Sequence, residues 1–120
     1  MINKFEKLHA WQSAMELAEE VYLLTKDFPQ NELFALANQM ARCGVSIPSN
    51  IAEGCSRSSA KDKKHFFEIA IGSIFELKTQ IEIAYRQKYI TLSQKAKVDI
   101  LIDQTVKLLY GLKRSINDKT

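Results

Sequence analysis

Only four glycines and two prolines punctuate 120 residues, and a chain so poor in turn formers folds into few, long elements. The apolar residues supply the period. Leu8, Trp11, Met15, Ala18, Val21 and Tyr22 recur at three- and four-residue steps, which places them on one stripe of a helix running to about Asp27, where Phe28-Pro29 stops it. A second series, Leu33, Leu36, Ala37, Met40, Ala41, Ile47 and Ile51, begins near Asn31 or Glu32. Pro48 falls inside it. An interior proline costs about 3 kcal/mol or more, so the pattern implies a kink, a break, or a restart capped by Ser46. Gly54 and the run Ser56-Arg57-Ser58-Ser59 mark the next connection.

Ser59 with Asp62 resembles a capping box and opens a third helix, and Thr91 with Gln94 opens a fourth carrying Val98, Leu101, Ile102, Leu108, Leu109 and Leu112. In the third helix Glu68, Gly72, Glu76, Thr79, Glu82 and Arg86 form a polar stripe, and most of the remaining circumference is apolar. The spacing predicts a single all-α domain with helices over 8–27, 32–55, 60–88 and 92–116. Short connections favour an up-down-up-down antiparallel four-helix bundle. The apolar excess on helices three and four exceeds what one core uses, which predicts a homo-oligomer.

No apolar run approaches the roughly 20 residues of a membrane span, and the segment with Lys4 and Glu6 does not read as a secretory signal. The expectation is a cytoplasmic protein with no membrane association. Cys43 and Cys55, twelve apart and outside any Cys/His cluster, read as reduced thiols.

Gln39, Arg42, Ser46, Asn50, Glu53 and Arg57 succeed one another at helical steps, so on a continuous helix they form one polar ribbon alongside Pro48 and Gly54. The ribbon reads either as a solvated or structural face, with pairs such as Arg42 with Ser46 and Glu53 with Arg57, or as a binding strip. Small residues in the same segment, Ala41, Gly44, Ser49 and Ala52, permit close approach of another backbone.

Charge is uneven: residues 1–56 hold four Lys/Arg against seven Asp/Glu, and residues 57–120 hold thirteen against seven. The second half is therefore the basic one. Arg57, Lys61, Lys63 and Lys64 crowd one linker, Arg86, Lys88, Lys95 and Lys97 flank another with Tyr85 and Tyr89 interleaved, and Lys113, Arg114 and Lys119 close the chain. Such clusters suit phosphate backbones, and interleaved aromatics suit unpaired bases.

Catalytic and metal chemistry finds little support. Glu6-x-x-His9 and Asp62-x-x-His65 resemble di-iron elements, but both fall in first turns among lysines. Neither histidine is placed by spacing beside a nucleophile, and no glycine-rich phosphate loop occurs. No catalytic residue, metal ligand or cofactor is assigned.

The segment from Phe28-Pro29 through Glu32, Leu36, Gln39 and Arg42 to Ser46-Ile47-Pro48-Ser49-Asn50-Ile51-Ala52-Glu53-Gly54 resembles the bacterial four-helix-bundle proteins encoded in intervening sequences of 23S ribosomal RNA genes. Phe66, Ala70, Gly72-Ser73, Glu76-Leu77 and Thr79 are similar to that family's second signature, and Trp11 and Tyr22 fit its first helix. The resemblance implies a four-helix bundle, commonly a pentameric ring, without established enzymatic activity. Related accessory proteins of diversity-generating retroelements bind nucleic acid and a reverse transcriptase. The resulting expectation is a non-enzymatic oligomer that binds RNA or DNA through Arg57, Lys61, Lys63, Lys64, Arg86, Lys88, Lys95 and Lys97. The alternative is a protein–protein scaffold or accessory module.

Overall fold

The computed structural model describes residues 4–32 and 35–116, so Leu33 and Lys119 lie outside the described residues. It is all-α: α1 (His9–Thr25), α2 (Leu36–Ser56), α3 (Ala60–Arg86) and α4 (Leu92–Arg114), with 3₁₀ turns at Lys4–Lys7 and Gln30–Glu32 and no strand among the described residues.

Each boundary has a local cause. The Ser59 hydroxyl accepts the Asp62 N–H at 3.1 Å and starts α3. At α4 the capping box is complete: Thr91 Oγ1 accepts the Gln94 N–H at 3.1 Å, and Gln94 Oε1 accepts the Thr91 N–H at 2.8 Å. At the end of α3, Tyr89 N–H returns to the Ala84 carbonyl and Lys88 N–H to the Tyr85 carbonyl, a Schellman closure with Lys88 at φ 65°. The second helix begins later than its apolar pattern suggests, because Ala35 stands at φ −116°, ψ −103°, outside the helical region, behind the Gln30–Glu32 turn.

Pro48 does not divide α2, which runs through it from Leu36 to Ser56. Its missing N–H leaves the Gly44 carbonyl without its usual partner. Burial of both Pro48 and Gly44 shows that packing, rather than local propensity, holds this turn. Ser46 is therefore not a cap; its hydroxyl engages Ser73 on α3 and Asn50 one turn on.

Leu17, Val21, Met40, Ile47, Ile51, Phe67, Ile74, Leu77, Ile81, Val98, Ile102 and Leu109 form the centre of the core, each such side chain contributing about 1.5–3 kcal/mol on burial. The α1 stripe sits obliquely to it. Val21 and Ala18 are buried, Trp11 and Met15 are half-buried, and Tyr22 is 53% exposed. The residues that α1 turns to the centre are Ala10, Ala14, Leu17, Val21 and Leu24.

Contacts join α1 to α2, α2 to α3, α3 to α4 and α4 to α1, with none between α1 and α3 or α2 and α4 among the described residues. Partner residues descend along one helix as they ascend along the next. Ser46 meets Ser73 while Cys43 meets Glu76; Glu82 meets Lys95 while Glu68 meets Lys113; Ser13 meets Thr105 while Glu20 meets Lys97. Ser13 and Thr105 form a buried 2.6 Å bond linking α1 to α4. Thr105 already donates to the Leu101 carbonyl, so Ser13 is the donor between them. The molecule measures 48 × 23 × 22 Å.

Candidate functional site

The α2 ribbon is continuous but mixed in environment. Gln39, Arg42, Glu53 and Arg57 are exposed, whereas Ser46 and Asn50 are half-buried against α3. Glu53 and Arg57 form an exposed ion pair at 2.7 Å, and Arg57 also stands 4.7 Å over the Phe66 ring. The Arg42–Ser46 pair does not form: Asn50 Nδ2 donates to the Ser46 carbonyl at 2.8 Å and to its hydroxyl at 3.0 Å, and Ser46 and Ser73 share a 3.0 Å bond. Arg42 has no hydrogen bond or ion pair among the described residues. Gly54 serves a steric purpose, since a Cβ there would stand 2.7 Å from Phe67 Cε1. Gly44 lies against Ala18 and Val21 of α1.

Between α2 and α3 the ribbon borders an open groove of about 360 Å³ lined also by Cys43, Ser73, Glu76 and Gln80. The Cys43 thiol donates toward the Ser73 carbonyl (3.0 Å) and Glu76 Oε1 (3.5 Å). Burial and then the Glu76 charge push its pKa up to about 12, so it is a protonated hydrogen-bond donor rather than a nucleophile at neutral pH. Gln80 is 7% exposed and its Oε1 has no donor among the described residues. A buried acceptor left unsatisfied costs about 1–3 kcal/mol. Sequence patterning missed Gln80 because it reads as one more helical residue; its signal is an amide set between Leu77, Ile81 and Ala84, all of them fully buried.

The structure places the eight cations assigned from the sequence at opposite ends of the long axis. Arg86, Lys88, Lys95 and Lys97 gather around the α3–α4 turn, and three of them are engaged. Arg86 binds Glu82 at 2.9 Å, Lys95 binds Asp99 at 2.6 Å and Glu82 at 3.5 Å, and Lys97 reaches Glu20 at 3.4 Å. The Asp99 hydrogen bond holds the Lys95 ammonium above its ordinary pKa. Arg57, Lys61, Lys63 and Lys64 occupy the other end, where Lys63 Nζ donates to the Cys55 carbonyl at 3.4 Å. Tertiary structure adds cations there. The start of the described chain brings Lys4 and Lys7, and the end of α4 brings Lys113 and Arg114, with Lys4, Lys63, Phe67, Leu112 and Ile116 lining one pocket. The acidic side chains nearby in the chain are Glu6, Glu53, Asp62 and Glu68.

Two grooves lie on opposite flanks. One, of about 440 Å³ between α1 and α2, is lined mainly by apolar groups including Phe5, Trp11, Met15, Tyr22, Val45 and Pro48, with Ser49 and Ala52 at its side. The other, of about 560 Å³ between α3 and α4, exposes Phe75 (53%) and Ile83 (44%) beside Lys78, Glu82, Lys95 and Asp99.

His9 and His65 are both exposed, in the first turns of α1 and α3, and no three His, Cys, Asp or Glu side chains converge to hold a metal among the described residues. No described helix is long and apolar enough to cross a membrane.

No curated protein matches the chain. Its fold is similar, with a TM-score of 0.81 and 25% identity over 88% of this chain and 96% of the other, to a crystal structure from Bacteroides thetaiotaomicron of a protein with unknown function from the S23 ribosomal protein family. The sequence profile described as 23S rRNA-intervening sequence protein matches residues 6–111, spanning the ribbon, the groove and all but the end of α4. The chain belongs to the 23S rRNA-intervening sequence protein family.

Proposed function

We propose that this protein is a non-enzymatic, up-down-up-down bundle that binds structured RNA through one basic end. The gathering of Lys4, Lys7, Arg57, Lys61, Lys63, Lys64, Lys113 and Arg114 around the termini of all four helices carries this reading. Phosphate neutralisation needs many shallow cations rather than a pocket, and Lys61 has no partner among the described residues. The Arg86–Lys97 end contributes less, because at three of its four cations a phosphate contact competes with an existing carboxylate, whereas at the other end Arg57 and Lys113 carry such pairs and Lys61, among the described residues, does not. The experiment is a titration of labelled structured RNA at several salt concentrations. Binding weakens with a slope of about −0.7 to −0.9 per neutralised phosphate, and Lys61→Glu with Lys113→Glu reduces both affinity and slope. Absence of a salt slope removes the reading.

The two flank grooves favour assembly as well. Apolar surface on opposite sides of one subunit suits a heterologous contact, which closes into a ring when the rotation per subunit permits; a pentamer is one such closure. A second reading, a protein scaffold, draws on the exposed Ile69, Phe75 and Ile83 of α3, and a partner protein retained after the lysine reversals favours it.

A further inference from the structure

The groove between α2 and α3 carries opposite chemistry on its two walls. On the α2 wall Arg42 is exposed and unpaired among the described residues. On the α3 wall Glu76 is exposed and, among the described residues, receives only the Cys43 thiol at 3.5 Å. Beneath it the Gln80 amide oxygen, on a side chain 7% exposed, has no donor among the described residues, whereas buried amide oxygens in folded proteins are nearly always paired. The hydroxyls of Ser46 and Ser73 supply the complementary imbalance. They share one 3.0 Å bond, and Asn50 Nδ2 already donates into Ser46 Oγ. Whichever hydroxyl donates to the other, one O–H hydrogen is left over.

An unused acceptor and a carboxylate therefore face an unused donor and a guanidinium across a single groove. A lone anion meets Glu76 and a lone cation meets Arg42, so neither is matched. No aromatic ring among the described residues lines the groove, so a nucleobase finds no stacking surface there. The geometry points to a site for a free α-amino acid held by its zwitterionic head: carboxylate to Arg42 and the spare serine hydroxyl, ammonium to Glu76 and the Gln80 oxygen. Turning the Gln80 amide toward the ligand uses a soft terminal torsion and needs no backbone change. This site stands apart from the basic end and the flank grooves, and it holds or falls independently of RNA binding and assembly.

Amide NMR of the full chain tests it, with glycine and then the other L-amino acids as probes, and with acetate and methylammonium as the two halves of the head. The expected result is saturable shifts confined to groove residues for an amino acid and not for either half. Arg42→Gln and Gln80→Leu each weaken that binding by about tenfold or more, as loss of one charge-assisted bond does. Gln80→Leu also raises the melting temperature of the ligand-free protein, which separates lost binding from lost folding. The inference is overturned if no amino acid gives saturable shifts at millimolar concentration, if acetate alone saturates the groove, if both variants bind as the parent does, or if only RNA oligonucleotides shift the same amides.

Discussion

Gly54 and Cys43 show how single atoms set tolerance in α2. A methyl on Gly54 would approach Phe67 Cε1 to 2.7 Å, Cδ1 to 3.0 Å and the Lys63 carbonyl oxygen to 3.2 Å, and Phe67 is 1% exposed and has nowhere to move. Overpacking of about 1–3 kcal/mol outweighs a helix-propensity gain of at most about 1 kcal/mol. Gly54→Ala is thus destabilising by about 1–2 kcal/mol in denaturant unfolding, whereas Gly44→Ala, whose Cβ meets nothing nearer than 3.6 Å, is neutral or stabilising. Cys43 brings a pH dependence. Its pKa is pushed up to about 12 from 9.0, so between those values the native state holds a proton that the unfolded chain releases. Stability contributed by the protonated thiol is complete below pH 9 and falls as pH rises toward 12, by at most about 1.4 kcal/mol per pH unit. Unfolding of Cys43→Val followed over that window has a flatter pH profile than the parent, and the parent thiol alkylates slowly at neutral pH.

At the scale of elements, the turn between α3 and α4 carries a local conflict. Its Schellman geometry puts Lys88 at φ 65°, where an L side chain costs about 1–2 kcal/mol and glycine is the usual occupant. Lys88→Gly raises stability by about 1 kcal/mol, read from the denaturation midpoint. The same change removes an exposed cation with no side-chain partner among the described residues, so it also reports on RNA binding without the ambiguity of a weakened fold. Unchanged RNA affinity in Lys88→Gly agrees with binding at the opposite, Lys61-bearing end. The turn is further tied down by Phe28 and Tyr89, with ring centroids 5.3 Å apart, and the nearby Glu32 carboxylate raises the Tyr89 pKa by favouring its protonated form.

For the whole molecule, opposed grooves predict a particular pattern of failure. Phe75→Ser damages the α3/α4 flank and Tyr22→Ser the α1/α2 flank, and each leaves the other intact. In a heterologous assembly each variant alone sediments as a smaller species, while an equimolar mixture forms a one-to-one pair through the two undamaged flanks. An isologous dimer through a single flank gives no such complementation. The long axis of 48 Å separates the two basic ends by several times the screening length of roughly 8 Å at physiological salt, so they act as independent patches within one subunit.

Helix content, the caps at Ser59 and Thr91 and the helical spacing of the ribbon residues were legible in the chain because capping chemistry and the helical period are local properties. The late start of α2 was not, since it follows from the Ala35 backbone, which stands outside the helical region. Nor was the outcome at Pro48, whose local cost is set against burial between neighbouring helices. Spacing identified Arg42 and Ser46 on one face but paired them wrongly, because Ser73, from 27 residues away, competes for the same hydroxyl. The orphaned Gln80 oxygen and the convergence of Lys4, Lys61 and Lys113 on one end depend on which helices become neighbours and in which direction they run. By itself the sequence determined the elements and their polar and apolar faces, through short-range sterics and hydrogen bonding. Only tertiary structure decided which faces meet, because that choice rests on burial shared between residues distant in the chain.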